Sequence, residues 1–185
     1  MISLAALWLP ILLSAVFVFI ISSILHMVLN YHAADYKKVP NEEQVMDAIR
    51  PFDIPPGDYS MPRAESVKEM NSEGYKSKLA KGPVAMFTVL PNGQPNMTKN
   101  LISWFIYSAL VSLFAAYIAS RTVGDTGDYM DVFRFAGTTA FIGYSLALMQ
   151  NSIWSGKSWA ATARSMFDGL IYALVTAGTF GWLWP

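Results

Sequence analysis

Apolar residues gather along this chain in four long runs, not in the short alternating patches of a water-soluble fold. The runs are 4–31, 101–120, 132–150 and 166–184. About 20 apolar residues make an α-helix long enough to cross the roughly 30 Å hydrocarbon layer of a bilayer. The pattern predicts an all-α membrane protein, a four-transmembrane-helix bundle with a small, mostly irregular cytoplasmic segment between spans 1 and 2. Three regions follow: span 1 over 1–31, a proline-rich extramembrane segment over 32–99, and a three-span bundle over 100–185.

Span 1 carries Pro10 in its first third, where it either kinks the helix or marks its entry to the membrane. Trp8 and Tyr31 are placed to anchor its two interfaces. No Lys or Arg precedes the run and no small-x-small site follows it, so it reads as a retained span and not as a signal peptide.

The polar segment holds eight of the ten prolines. A short helix is expected from the Asn41 cap to Arg50, stopped by Pro51. Residues 52–59 read as extended chain and turn. A second helical piece runs over 64–80 with a break at Gly74. Val84–Leu90 reads as a strand, closed by the turn at Pro91-Asn92-Gly93 and paired with 59–62. Under 70 residues build only a marginal core, so the segment is expected to lean on the bundle or on a partner. Pro55, Pro56, Gly57, Asp58 and Tyr59 are the expected partner-binding loop. Asn96-Met97-Thr98 matches a glycosylation sequon but lies too near span 2 to serve as one.

Lipid gives helices no hydrophobic reason to associate, and close approach through small residues four apart supplies one. Span 2 has Ser108, Ser112, Ala116 and Ser120 in such a ladder. Span 3 has Thr139, Gly143 and Ala147, and span 4 has Gly169, Ala173, Ala177 and Gly181. Either these pack the bundle internally, the reading preferred, or one of them is a docking face.

Polar groups inside apolar runs are costly and mark candidate sites. Ser14, Ser22, His26 and Asn30 fall on one line of span 1. His26 suits a proton relay, a quinone contact or a haem ligand, against the plainer role of an interfacial hydrogen bond. His32 lies six residues on, so on one unbroken helix the two cannot clamp a haem. Arg164 and Asp168, four apart, are expected to pair as an interfacial salt bridge, with an ion or substrate site as the sharper alternative. Asp125, Asp128 and Asp131 suggest helix capping before calcium, since their spacing is not that of an EF-hand loop. The aromatics Trp104, Tyr107, Trp154, Trp159, Trp182 and Trp184 fit interface belts.

Composition removes whole classes of chemistry. Zero net charge argues against nucleic acid, and the lack of cysteine excludes disulfides, thiolate catalysis and sulfur-ligated metals. Two histidines exclude a site of several histidines in one chain, and no metal ligand, cofactor or catalytic residue is assigned. Lys and Arg number nine in 32–99 and two in 151–164, against Arg121 and Arg134 on the opposite side. The long segment is thus expected in the cytoplasm and both termini outside.

The runs Ile54-Pro55-Pro56-Gly57-Asp58-Tyr59 and Met61–Ser66, then Gly82–Met86, then Phe167–Tyr172 through Trp182–Pro185 resemble an uncharacterised family of small four-span bacterial inner-membrane proteins. The resemblance covers most of the chain, implies a bacterial inner-membrane setting, and brings no activity or ligand with it. Function is therefore expected to be non-enzymatic: an accessory or assembly subunit of a larger membrane complex, contacting lipids and a protein partner or a second copy. The alternative is a small transporter or channel, alone or as a homo-oligomer, working through His26, Asn30 and Asp168.

Overall fold

A computed structural model describes residues 2–124 and 127–185. In chain order the elements are α1 (Trp8–Met27), α2 (Glu42–Ile49), β1 (Gly57–Met61), α3 (Val67–Met70), α4 (Glu73–Lys81), β2 (Ala85–Val89), α5 (Met97–Thr122), α6 (Tyr129–Tyr144), α7 (Met149–Ser155) and α8 (Trp159–Trp182). They form two compact units, Met1–Tyr36 with Asn96–Pro185, and Lys37–Pro95.

In the first unit α1 packs on α5 and α8, and α6 packs on α5 and α8. Three stretches are long and apolar enough to cross a membrane: Leu4–Met27, Met97–Thr122 and Tyr129–Ser155. The expected fourth span, α8, is helical over 24 residues but is not among them. It carries Arg164, Asp168 and a run of Thr, Gly and Ala. These residues go with its position: Asp168, Thr176, Ala177 and Phe180 are buried against the other helices.

Local chemistry sets the helix ends. Pro10 sits in the first turn of α1, where a missing N–H costs nothing. Asn96 of the sequon is the N-cap of α5, its Oδ1 accepting from Lys99 N–H at 3.0 Å. Asp128 caps α6 by accepting from Asp131 N–H at 2.8 Å, and Asp131 also faces Arg134 at 3.6 Å. Asp125, the third acid of that series, lies outside the described residues.

Small residues do bring these helices together. Ser108, Ser112, Ala116 and Ser120 are all buried. On α8 a Cβ at Gly169 would overlap Ser145 Oγ, and one at Gly181 would come within 2.6 Å of the Tyr129 ring. Ala173 and Ala177 are buried, and Ala177 is the neighbour that Gly137 leaves room for. The ladder expected on span 3 is met at Gly143, where a Cβ would lie 3.2 Å from Val111 of α5, and not along its length. α6 ends at Tyr144, so Ala147 falls beyond it on a 3-10 turn, and Ala147 is exposed. The buried line is instead Val132, Ala136, Ala140 and Tyr144, one position on from Thr139 and Gly143.

The second unit is not mostly irregular. β1 and β2 pair antiparallel with Tyr59 opposite Phe87, their rings 5.7 Å apart. Tyr59 donates from its hydroxyl to Pro55 C=O at 2.8 Å, and Thr88 to Asp58 at 2.6 Å. The helical piece after Ala64 breaks at Asn71-Ser72 and not at Gly74, because Ser72 accepts from Tyr75 N–H and starts α4 there. Asn41 precedes α2 with a left-handed backbone, and its side chain makes no cap bond. No residue of 37–95 is buried.

Candidate functional site

α1 stops at Met27, five residues before His32. Leu29 is extended, and a 3-10 turn over Asn30–Ala34 folds the chain back over the helix end. On an unbroken helix His32 would lie about 240° round from His26 at 100° per residue. The break cancels that rotation. The two imidazoles stack with centroids 4.6 Å apart and planes 11° apart.

Asp168 is the group they share. Its Oδ2 lies 2.7 Å from His32 Nε2 and 3.8 Å from His26 Nε2. Its Oδ1 accepts from the Tyr31 hydroxyl. The carboxylate is 3% exposed, nine residues into α8, or about 14 Å along the helix from Trp159. The expected partner, Arg164, does not pair with it. Arg164 reaches Asp35 instead, with Nη2 2.6 Å and Nε 2.7 Å from Oδ1. Asp35 Oδ2 in turn meets His32 Nδ1 at 2.7 Å. Burial opposes the charged form of Asp35, but the hydrogen bonds and charges of His32 and Arg164 outweigh it and hold the carboxyl below its usual range.

The other nitrogen of each ring is therefore determined. His26 Nδ1 lies 3.0 Å from Ser22 C=O, which can only accept, so Nδ1 carries a proton. Asp35, ionised between His32 and Arg164, requires the same of His32 Nδ1. Both Nε2 atoms then face Asp168.

Beside this cluster α1, α5, α6 and α8 line a half-open cavity of about 710 Å³. Its polar corner is His26 and Asp168. Its walls are mostly aromatic and apolar, with Leu101, Trp104, Tyr107, Tyr144 and Tyr172 prominent. Trp104 is fixed by donation from Nε1 to Ser22 Oγ at 2.8 Å, and its ring lies 5.7 Å from Tyr172 and 6.2 Å from Tyr144. Tyr107 donates to Gly143 C=O at 2.6 Å. The hydroxyl of Tyr172 is buried and, among the described residues, has no hydrogen-bond partner.

Of the residues singled out in the sequence, His26 and Asp168 are brought together, while Asn30 is exposed on the 3-10 turn and Arg164 serves Asp35. Trp104 and Tyr107 line the cavity, whereas Trp154, Trp159 and Trp182 are exposed. Tyr31, His32, Asp35 and Tyr172 were not assigned to the site from sequence. The signal available was the polar cluster Asn30-Tyr31-His32, which ends the apolar run before its counted length does. No protein-family model matches this chain, and no curated protein or solved structure matches it either.

Proposed function

We propose that this chain is a membrane-embedded binding protein for an amphipathic small molecule, and that a small transporter is the form this function takes. The observation that carries the reading is the cavity itself. About 710 Å³ is within the usual size of a small-molecule site, and the wall combines broad apolar surface with few convergent polar groups. The polar head of such a ligand belongs at His26 and Asp168. Its apolar body belongs along Leu101 and Trp104. In this reading α8 is a fourth span, the long segment faces the cytoplasm, and the setting is a bacterial inner membrane.

The test is extraction. Protein purified gently at full length is extracted with organic solvent and the extract compared by mass spectrometry. We expect one amphiphile near one equivalent in the wild type, lost from Leu101→Trp, which fills the cavity. If both extracts hold the same bulk lipid and nothing more, the cavity binds nothing and the reading fails.

A separate observation favours a second reading, that of an accessory subunit. Phe52, Val67, Met86 and Leu90 are each more than 60% exposed within a unit that buries none of its residues. Such apolar exposure suits a protein partner. A double variant, Phe52→Ser with Leu90→Ser, is expected to lose a co-purifying protein while keeping its helical content. Unchanged co-purification counts against this surface.

A further inference from the structure

We propose that His26, His32 and Asp168 form a binding site for a divalent transition-metal ion of the zinc class. The ligand atoms are the two Nε2 atoms and the Asp168 carboxylate. The site shares two residues with the cavity but rests on a different observation, and it stands whether or not the cavity holds an amphiphile.

Three Lewis bases converge here. Their ligand atoms lie within 4.8 Å of one another, with Nε2 to Oδ2 separations of 2.7 and 3.8 Å. Metal–ligand bonds near 2.0–2.2 Å place neighbouring donors roughly 3–4 Å apart, so the set needs only a small adjustment to close on one ion. His26 is free to make it, since its side chain is half exposed.

The protons are arranged for it as well. Each Nδ1–H is committed to an acceptor, Ser22 C=O for His26 and the Asp35 carboxylate for His32. In neutral rings this leaves both Nε2 lone pairs directed at a third base. Acceptors facing acceptors repel unless a positive charge sits between them. Among the described residues no Lys or Arg pairs with Asp168, and Arg164 is held by Asp35. A hydrogen bond from metal-bound imidazole to a carboxylate is the usual outer support of a histidine ligand, and the Arg164–Asp35–His32 chain supplies it.

Donor type decides the class of ion. Two imidazoles and one carboxylate suit zinc, ferrous iron and their neighbours, whereas calcium and magnesium prefer oxygen sets. Three protein ligands leave a coordination position open. Two of the three ligands, His26 and Asp168, also line the cavity.

The experiment uses the full-length protein in detergent, stripped with chelator and titrated with Zn²⁺ by calorimetry and with Co²⁺ by visible absorption. We expect one ion per chain and at least a tenfold loss of affinity in His26→Ala, whose half-exposed ring can be removed with little effect on packing. Asp35→Asn keeps all three ligands and is expected to weaken binding by about 10–100-fold. Circular dichroism and gel filtration establish that each variant is folded. Leu101→Trp is expected to bind Zn²⁺ as the wild type does while losing the amphiphile, which separates failure of one proposal from failure of the other. If the wild type takes up no stoichiometric ion, a proton alone fills the position between the bases and the proposal is overturned. Equal Zn²⁺ affinity in wild type and His26→Ala overturns it also.

Discussion

At the scale of the residue, space decides what a side chain may be. Gly169 abuts α6 so closely that a Cβ would overlap Ser145 Oγ and lie 3.1 Å from Tyr144 C=O. Gly169→Ala is therefore expected to cost about 1–3 kcal/mol, as overpacking does, and to lower the thermal midpoint of the detergent-purified protein. Gly74 is the control, for nothing lies within 4 Å of a Cβ there. Gly74→Ala removes a flexible residue from α4 and is expected to gain up to about 1 kcal/mol, read as slower hydrogen exchange in that helix. Equal effects from the two changes would mean that backbone freedom and not packing governs Gly169. The same scale shows what was legible. His26 and Asp168 stand out in the sequence because an ionisable group within an apolar run must face partners. Their actual partners were not legible. Spacing of four joins Arg164 to Asp168 on a helix surface, but Asp168 faces inward and the long Arg164 side chain reaches a separate segment.

At the scale of the element, the errors lie at helix ends. Hydrophobic runs report where a helix is, not where its hydrogen bonding stops. Run 4–31 reads as one helix because Val28 and Leu29 are as apolar as the residues before them. The turn at Leu29 creates the site by stacking His32 on His26. Run 132–150 similarly hides the end of α6 at Tyr144, which leaves Ala147 of the expected ladder beyond the helix. Caps were legible only in part: the acid before run 132–150 serves as one, whereas Asn41, expected to cap α2, makes no cap bond. That acid is Asp128. Asp128→Ala is expected to destabilise the start of α6 by about 1 kcal/mol, measured by thermal denaturation in detergent. An unchanged midpoint would show that packing of Tyr129 against Gly181 alone fixes that end. Strand β2 was legible from its apolar run and the turn that closes it, whereas its pairing with β1, two helices away in sequence, had no signal of its own, and β1 begins two residues earlier than expected.

At the scale of the whole molecule, the open issue is the number of crossings. α8 is the least lipid-like of the four long helices, yet it contains the most buried acid among the described residues and packs on both α1 and α6. A helix shielded by neighbours does not need a lipid-compatible surface on every side, because its polar groups are satisfied within the protein. The hydrogen bond from Tyr31 is one such partner of Asp168, and the positive charge that the two facing imidazoles require is the other. Hydropathy averages over all faces of a helix, including those that never meet lipid, so it does not decide whether α8 crosses. Crossing number fixes the relation between the chain ends. Four crossings put residues 2 and 185 on one side, and three put them on opposite sides. Reporter fusions at each end, one enzyme active only in the cytoplasm and one active only outside it, read this directly. We expect both ends to report outside, with an insertion at Gly93 reporting inside, as the Lys and Arg excess of 32–99 demands. Ends on opposite sides would overturn the reading of α8 as a fourth span, while Asp168 would stay buried against the protein's own helices.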